Sequence, residues 1–176
     1  MKIVVTGQVG IDKKEFIERV TRISQQQGFG LHTYNVGDMM YKEAPDVARG
    51  KILDLPLSRL ENLRRSVFKD ILADSDNHQN VLINTHATFR WNHGLFFAFD
   101  HDQMVKFDAD IYIVMLDSID QIHRRLQRDG HVDHSLKDLM VWREEEILAT
   151  ELLSRIIRGH GCFFICVRGD DMLAEM

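Results

Sequence analysis

Five short runs with strand character alternate with helical segments, and this alternation constrains the fold more than any other feature. The runs lie at residues 3–5, 32–36, 81–85, 111–116 and 162–167. Three of them, at residues 3–5, 111–116 and 162–167, are continuously apolar, which is typical of strands buried on both faces. Strands that alternate with helices form parallel sheets. The sequence therefore predicts an α/β three-layer sandwich, in which a five-stranded parallel sheet carries helices on both faces.

Two long helices are predicted in the second and fourth intervals, at residues 57–74 and 136–157. In the first of these helices Arg64 lies at the edge of the apolar stripe, so its side chain is predicted to extend outward to solvent. The stretch "GLFFAFD" is predicted to be a loop or a short helix. Because the chain contains no repeat and no proline-rich linker, we expect residues 1–176 to form a single domain.

The first strand runs into the loop "GQVGIDKK", which is close to the phosphate-binding pattern G-x-x-x-x-G-K-[ST]. In that pattern backbone N–H groups at a helix N-terminus surround phosphates, and the lysine contacts them. The sequence thus predicts a nucleotide-binding P-loop. Its candidate binding residues are Gly7, Gln8, Val9, Gly10, Ile11, Asp12, Lys13 and Lys14.

Two letters of the loop depart from the pattern: Asp12 replaces its second glycine, and Lys14 replaces its Ser or Thr. A carboxylate at a helix start accepts the N–H groups that a phosphate would use. Its repulsion of a phosphate at about 4 Å is roughly 4 kcal/mol before screening. An alternative interpretation is that the loop is a strand-to-helix turn that binds nothing.

Beyond this loop, the chain resembles the adenylate kinase branch of the P-loop nucleoside monophosphate kinases, and most closely the archaeal-type enzymes. The resemblance covers nearly the whole chain. It consists, in matching order, of "GQVGIDKK", "NVGDMMYKE", "INTHATFR", "DADIYIVMLDS" with "QIHRRLQRDG", and a long helix with "WREEE".

The resemblance implies ATP as the phosphoryl donor and a nucleoside monophosphate or similar small molecule as the acceptor. It also implies a small lid at about residues 127–136. The implied catalytic residues are Lys13, Arg124, Arg128 and Arg143, with Arg125 in the same basic helix. The implied acceptor-binding residues begin with Gly37, Asp38 and Met39.

Three departures from the family fall on magnesium binding. Asp12 and Lys14 stand in the loop as described, and Asn84 replaces an acidic residue common after the third strand. A lysine cannot bind Mg²⁺ as a hydroxyl does. We therefore predict no protein metal ligand here, although phosphoryl transfer in this family would call for Mg²⁺.

Several polar residues elsewhere are further candidates. His86 and Arg90, near the third strand end, are predicted to contact the acceptor; simple bonding of His86 to nearby backbone is the alternative. His131, Asp133 and His134 have the spacing of a zinc site, but incidental roles are favoured. Residues 144–146, three consecutive glutamates, are predicted to form a solvated helix face.

Composition excludes some classes of protein. The net charge of −5 argues against a nucleic-acid binder. No apolar run approaches the length of a membrane span, and no signal peptide is evident, so we expect a cytoplasmic protein. Cys162 and Cys166 are predicted to be small core residues in a reducing compartment.

Three functions fit these features. The first is an ATP-dependent phosphotransferase. The second is a nucleotide-binding regulator without turnover, whose partner would be another protein, and the third is a protein-interaction scaffold that keeps only the fold. The sequence favours kinase-like nucleotide binding, and it leaves turnover, the acceptor and the oligomeric state open.

Overall fold

The computed structural model describes residues 1–91, 94–131, 133–159, 162–169 and 175. Its strands, in chain order, are β1 Lys2–Gly7, β2 His32–Asn35, β3 Val81–Asn84, β4 Thr88–Trp91, β5 Gly94–Phe97, β6 Ile111–Leu116 and β7 Cys162–Val167. Its α-helices are α1 Lys14–Gln26, α2 Val36–Glu43, α3 Leu57–Ser75, α4 His101–Phe107, α5 Ile119–Arg128 and α6 Leu136–Arg158, and a 3₁₀ turn spans Ile52–Asp54.

The main sheet has the order β2-β3-β1-β6-β7, and all of its strands are parallel. In the centre Val4 aligns with Ile83 of β3 on one side and with Tyr112 of β6 on the other. All three residues are buried, as expected for strands covered on both faces. The prediction of a five-stranded parallel sheet with helices on both faces is confirmed.

Helices cover the sheet through apolar faces that their sequences supply. In α6 the buried positions include Leu139, Trp142, Ala149 and Leu153, which recur at helical spacing. The helix begins at a capping box, in which Ser135 and Asp138 bond each other's backbone N–H groups. The predicted lid corresponds to the end of α5 and the connection to α6, of which Val132 lies outside the described residues.

The structure differs from the sequence prediction after β3. Residues 94–97 of "GLFFAFD" are neither loop nor helix, because β5 pairs antiparallel with β4 in a separate two-stranded sheet. Phe89 of β4 aligns with Phe96 of β5, and the two rings lie 5.1 Å apart. Residues 92 and 93 between these strands lie outside the described part.

The two cysteines lie on β7 and do not form a disulfide. Cys166 is buried as predicted, whereas Cys162 is exposed because it begins the edge strand of the sheet. The prediction of a core position is therefore wrong for Cys162. Within the described residues, none of the helices combines the length and apolarity needed to cross a bilayer.

Candidate active site

A cleft of about 940 Å³ lies at the carboxyl ends of β1, β2 and β3. The loop after β1 and the residues that follow β3 form its base, while α1 and α2 contribute its walls. Ligands of open parallel sheets bind at this edge. The walls present mostly polar side chains. They include Thr21, Arg22, Gln25, Thr33, Asn35 and Tyr41.

The loop between β1 and α1 needs glycine at two positions for reasons of packing. Gly7 and Gly10 have φ angles of +154° and +91°, which side chains with a Cβ rarely adopt. A Cβ on Gly7 would lie 3.0 Å from the carbonyl oxygen of Met115, and one on Gly10 would lie 3.1 Å from Leu126. These glycines therefore seat the loop closely against β6 and α5.

Asp12 lies at the rim of the cleft, where α1 begins. Its Oδ1 accepts the N–H of Lys14 at 3.1 Å, although Lys13 occupies the N-cap position itself. Its Oδ2 lies 3.6 Å from the guanidinium of Arg168 on the segment after β7. The side chain is 51% exposed, so solvent and Arg168 both screen its charge.

Lys13 lies at the base of the cleft with only 5% of its surface exposed. Its Nζ donates a hydrogen bond to the carbonyl oxygen of Thr85, just after β3, at 2.8 Å. Burial lowers the pKa of the Lys13 ammonium from 10.5 to about 8, and the nearby carboxylate of Glu146 partly opposes this shift. At neutral pH the group therefore remains a cation poorly compensated by solvent.

Glu146 corrects the prediction of a solvated acidic face, because its side chain is fully buried. Its Oε1 accepts the backbone N–H groups of Gly7 and Ala87 at 2.9 and 2.7 Å. Its Oε2 accepts the N–H and the hydroxyl of Thr88 at 2.8 and 2.6 Å. One carboxylate on α6 thus connects the start of the P-loop with the segment after β3.

Arg64 corrects a second prediction, that its side chain extends to solvent. It is 5% exposed and lines the cleft beside Lys13. Its Nε donates to the carbonyl oxygen of Ala98 at 2.9 Å, and one Nη donates to the hydroxyl of Thr85 at 3.0 Å. Burial lowers the pKa of the guanidinium to about 10, so it stays charged at neutral pH. The guanidinium also lies 5.1 Å from the centre of the Phe89 ring.

His86 lines the cleft and bonds through Nδ1 to the carbonyl oxygen of Gly7. Since a carbonyl can only accept, Nδ1 carries the proton and Nε2 keeps its lone pair. Burial lowers the pKa of His86 well below 6.5, and the charge of Lys13 adds to this shift. The imidazole is therefore neutral at physiological pH.

The other predicted residues divide between the cleft and its surroundings. The loop residues that line the cleft are Val9, Gly10, Ile11, Asp12, Lys13 and Lys14. Gln8 turns away from the cleft and donates to the Leu139 carbonyl oxygen at 3.0 Å. Gly37 and Asp38 line it, and Asp38 pairs with Arg49 at 2.8 Å. The lining includes neither Gly7 nor Met39; Met40, the next residue, takes part instead.

The predicted arginines lie outside this lining. Arg124 and Arg128 are exposed on α5, and Arg143 contacts its neighbour Glu144 at 3.1 Å. Arg90 forms a two-pronged ion pair with Glu145, its Nε lying 2.8 Å from one carboxylate oxygen.

Arg125 and Arg168 instead support the outer side of the loop. Arg125 donates to the Gly10 carbonyl oxygen at 3.2 Å and to Asp117 at 2.7 Å. Arg168 lies 3.6 Å from the same Asp117 carboxylate. Arg168 could not have been found from the loop pattern, because it lies at the far end of the chain.

The residues at the loop do not fit a directly coordinated Mg²⁺. Lys14 is 79% exposed and faces Glu18. Asn84 donates its amide to Asn35 at 2.7 Å, and the Thr85 hydroxyl accepts from Arg64. The Oδ1 of Asn84 is buried without a hydrogen-bond partner, but one amide oxygen, with neither a hydroxyl at residue 14 nor a carboxylate at residue 84, does not make the oxygen set that Mg²⁺ prefers.

The zinc alternative in the loop before α6 is not supported. Among the described residues, His131, Asp133 and His134 do not form a group that could hold a metal ion. His131 and His134 pack on Trp91 instead, with ring centres 4.8 and 4.9 Å from it.

Comparison with known proteins agrees with this architecture. A family model described as an AAA domain matches residues 6–143. The fold is similar to a shikimate kinase from Bacteroides thetaiotaomicron, with a TM-score of 0.57 and 14% identity, over 99% of this chain and 92% of that one. A tunicamycin resistance protein from Deinococcus radiodurans gives a TM-score of 0.52 and 10% identity, over 92% of this chain and 97% of that one. A deoxyadenosine kinase from M. mycoides gives a TM-score of 0.50 and 11% identity, over 99% of this chain and 94% of that one. At these identities the likeness shows the fold alone, which is that of P-loop kinases.

Proposed function

Because this chain belongs to the AAA domain family, we propose that its cleft binds a nucleotide and transfers a phosphoryl group from ATP to a small acceptor. The closer resemblance to archaeal-type adenylate kinases makes a nucleoside monophosphate the first acceptor to test. The solved relatives named above include kinases of other small molecules, so the acceptor class extends beyond nucleotides.

The observation that carries this proposal is the charge at the base of the cleft. Lys13 and Arg64 are both buried there and both cationic, while Glu146, the one buried carboxylate among the described residues, accepts from three N–H groups and a hydroxyl. His86 beside them is neutral. A positive, water-poor hollow of this kind favours a multiply charged anion such as a phosphate chain.

In the proposed reaction, an acceptor oxygen forms a bond to the γ-phosphorus of ATP while the bond from that phosphorus to the bridging oxygen breaks. The acceptor hydroxyl or phosphate gives up its proton if it carries one, and ADP leaves. Lys13 would stabilise the charge on the transferring group, with Arg124, Arg128 and Arg143 approaching from α5 and α6. Gly37, Asp38, Met39, His86 and Arg90 are the proposed acceptor residues.

A second candidate function, nucleotide binding without transfer, is favoured by the region around Asp12 and Lys14. The carboxylate of Asp12 already accepts one N–H at the start of α1, and Lys14 supplies no hydroxyl for magnesium. Loss of the metal removes both charge stabilisation and positioning from phosphoryl transfer. A protein of this kind would signal nucleotide occupancy to a partner.

Calorimetry with ATP and with monophosphates, with and without Mg²⁺, combined with a coupled transfer assay, distinguishes these functions. Binding with transfer supports the phosphotransferase, binding alone supports the regulator, and the absence of both refutes nucleotide function. Asp12→Asn keeps the hydrogen bond to the Lys14 N–H but removes the charge. Because Asp12 is half exposed and faces Arg168, we expect about a tenfold gain in ATP affinity rather than the thousandfold suggested by unscreened repulsion.

Two further variants complete the experiment. The double variant Asp12→Gly with Lys14→Thr restores the phosphate-binding pattern and should raise ATP affinity further, with a new dependence on Mg²⁺. The matched control Glu15→Gln changes the charge of a neighbouring exposed residue on the same helix. An equal gain from this control would mean that general electrostatics, rather than the loop, controls binding.

A further inference from the structure

A second cluster of polar side chains lies on β2 and α3, at the amino end of β2 and therefore away from the cleft. It consists of His32, Asp74 and His78, which each offer one ligand atom, and these atoms lie within 4.8 Å of one another. The Asp74 Oδ2 atom lies 3.3 Å from Nε2 of His78 and 3.9 Å from Nε2 of His32.

The local sequence explains why these groups meet. His32 and Tyr34 are two residues apart on β2, so they point to the same side of the strand. Asp74 and His78 are four residues apart, at the end of α3 and just beyond it. The N–H of His32 donates to the carbonyl oxygen of Asn80 at 2.9 Å, which holds the start of β2 against the chain that follows α3.

Neighbouring groups orient the carboxylate of Asp74. The hydroxyl of Tyr34 donates to Oδ2 at 2.7 Å, and the amide of Asn77 donates to Oδ1 at 3.4 Å. Carboxylates that bind metal ions are typically held in place by hydrogen bonds of this kind.

We infer that His32, Asp74 and His78 bind a divalent transition-metal ion, with Zn²⁺ as the first choice. Two imidazole nitrogens and one carboxylate oxygen are a donor set that suits Zn²⁺, Cu²⁺ or Ni²⁺ and disfavours Mg²⁺ and Ca²⁺. The three side chains are between 31% and 49% exposed, which leaves room for a water molecule as the fourth ligand.

Metal binding requires one ring to turn. The imidazoles of His32 and His78 are stacked, with centres 3.9 Å apart and planes inclined by 10°. Their lone pairs lie in nearly parallel planes, so one ion cannot lie in both planes at once. Rotation of one half-exposed ring about its Cβ–Cγ bond directs both nitrogens to the same point. The bound ion would then tie β2 to the end of α3.

Zinc titration of the untagged protein by calorimetry tests this inference, and Cu²⁺ electron paramagnetic resonance counts the nitrogen ligands. We expect one Zn²⁺ per chain, a Cu²⁺ spectrum with two imidazole nitrogens, and a melting temperature that rises with Zn²⁺. His32→Asn and His78→Asn should each lower the affinity for Zn²⁺ by about a hundredfold or more. This loss exceeds that usually seen when a residue that only hydrogen-bonds to a metal ligand is replaced. The control His101→Asn removes an exposed histidine that also contacts an aspartate, and it should bind zinc like the wild type.

Undiminished zinc binding in the variant that combines His32→Asn with His78→Asn, or a copper spectrum without two nitrogens, would overturn the inference. Because both histidines are partly exposed, the variants should fold, and circular dichroism checks this. Should a variant not fold, imidazole NMR of the wild type decides instead, since sub-stoichiometric Zn²⁺ must shift the His32 and His78 signals before those of other histidines. None of these measurements depends on the proposed phosphotransferase activity.

Discussion

Replacing Lys13 by methionine should stabilise the fold while it removes nucleotide binding. Burial lowers the pKa of the ammonium from 10.5 to about 8, and this difference corresponds to roughly 3 kcal/mol of unfavourable desolvation. Methionine has a similar length and carries no charge. It leaves the carbonyl oxygen of Thr85 without its donor, which costs about 1 kcal/mol. We therefore expect a net stabilisation of about 2 kcal/mol near neutral pH.

The stabilisation should depend on pH in a direction that the pKa fixes. Below about pH 8 the wild-type lysine is charged in both the folded and the unfolded state, so the full cost of burial is present. Between about 8 and 10.5 the folded state loses its proton before the unfolded state does, so wild-type stability rises with pH. At about pH 9.5 the free energy of unfolding of the wild type should be about 2 kcal/mol higher than at neutral pH. The stability difference between Lys13→Met and the wild type should then be close to zero.

Urea unfolding of the wild type and of Lys13→Met at about pH 7 and pH 9.5 measures both quantities. Lys14→Met is the matched control, because Lys14 is the adjacent residue and is 79% exposed. Its stability difference from the wild type should not change with pH. If the Lys13→Met difference is likewise the same at both pH values, then Lys13 is not desolvated and the charge argument for the cleft fails. ATP calorimetry on the same variant should show a loss of more than about a hundredfold in affinity.

Three further outcomes follow from the contacts of the site. Glu146→Gln should destabilise the protein by about 3 kcal/mol in urea unfolding, because four donors lose a charged acceptor and the amide N–H₂ faces two of them. Gly10→Ala should lower the free energy of unfolding by about 2 kcal/mol, which is clearly more than for the control Gly28→Ala. Gly28 has a comparable φ of +78°, but a Cβ added there would contact nothing within 4 Å. Imidazole NMR should show His86 with a proton on Nδ1 and still neutral at about pH 6.5, because burial lowers its pKa; protonation on unfolding then reduces the free energy of unfolding as the pH falls below about 6.5.

The main sheet could be predicted because its information is local. Runs such as "IVV" and "IYIVML" are apolar on both faces, so they identify central strands without knowledge of their neighbours. The hairpin of β4 and β5 gave no such signal. "GLFF" has no alternation of polar and apolar residues, and the sequence between it and "TFRW", Asn92-His93, is not one of the dipeptides that commonly indicate a hairpin.

The buried charges could not be predicted for a different reason. Arg64 and Glu146 each lie within the apolar stripe of a helix, between Leu60 and Val67 and between Trp142 and Ala149. Spacing alone does place them on the buried side. A single sequence, however, does not reveal the hydrogen-bond partners that compensate the desolvation of a buried charge, because these are carbonyl and N–H groups contributed by distant loops. The loop pattern identified Lys13 because a lysine at this position is part of the motif itself.

The contacts of Glu146 also have a mechanical consequence. Because one carboxylate holds both Gly7 and the segment at residues 87–88, a ligand cannot push either of them aside without dragging α6 with it. On the α2 side of the cleft, the chain that follows α2 is joined to it by the solvent-exposed pair of Asp38 and Arg49 and by the Tyr41 hydroxyl, which accepts the Gly50 N–H at 2.8 Å. Entry of a ligand should therefore deform α2 and the chain that follows it, and crystals grown with and without nucleotide should superpose at the loop and diverge there.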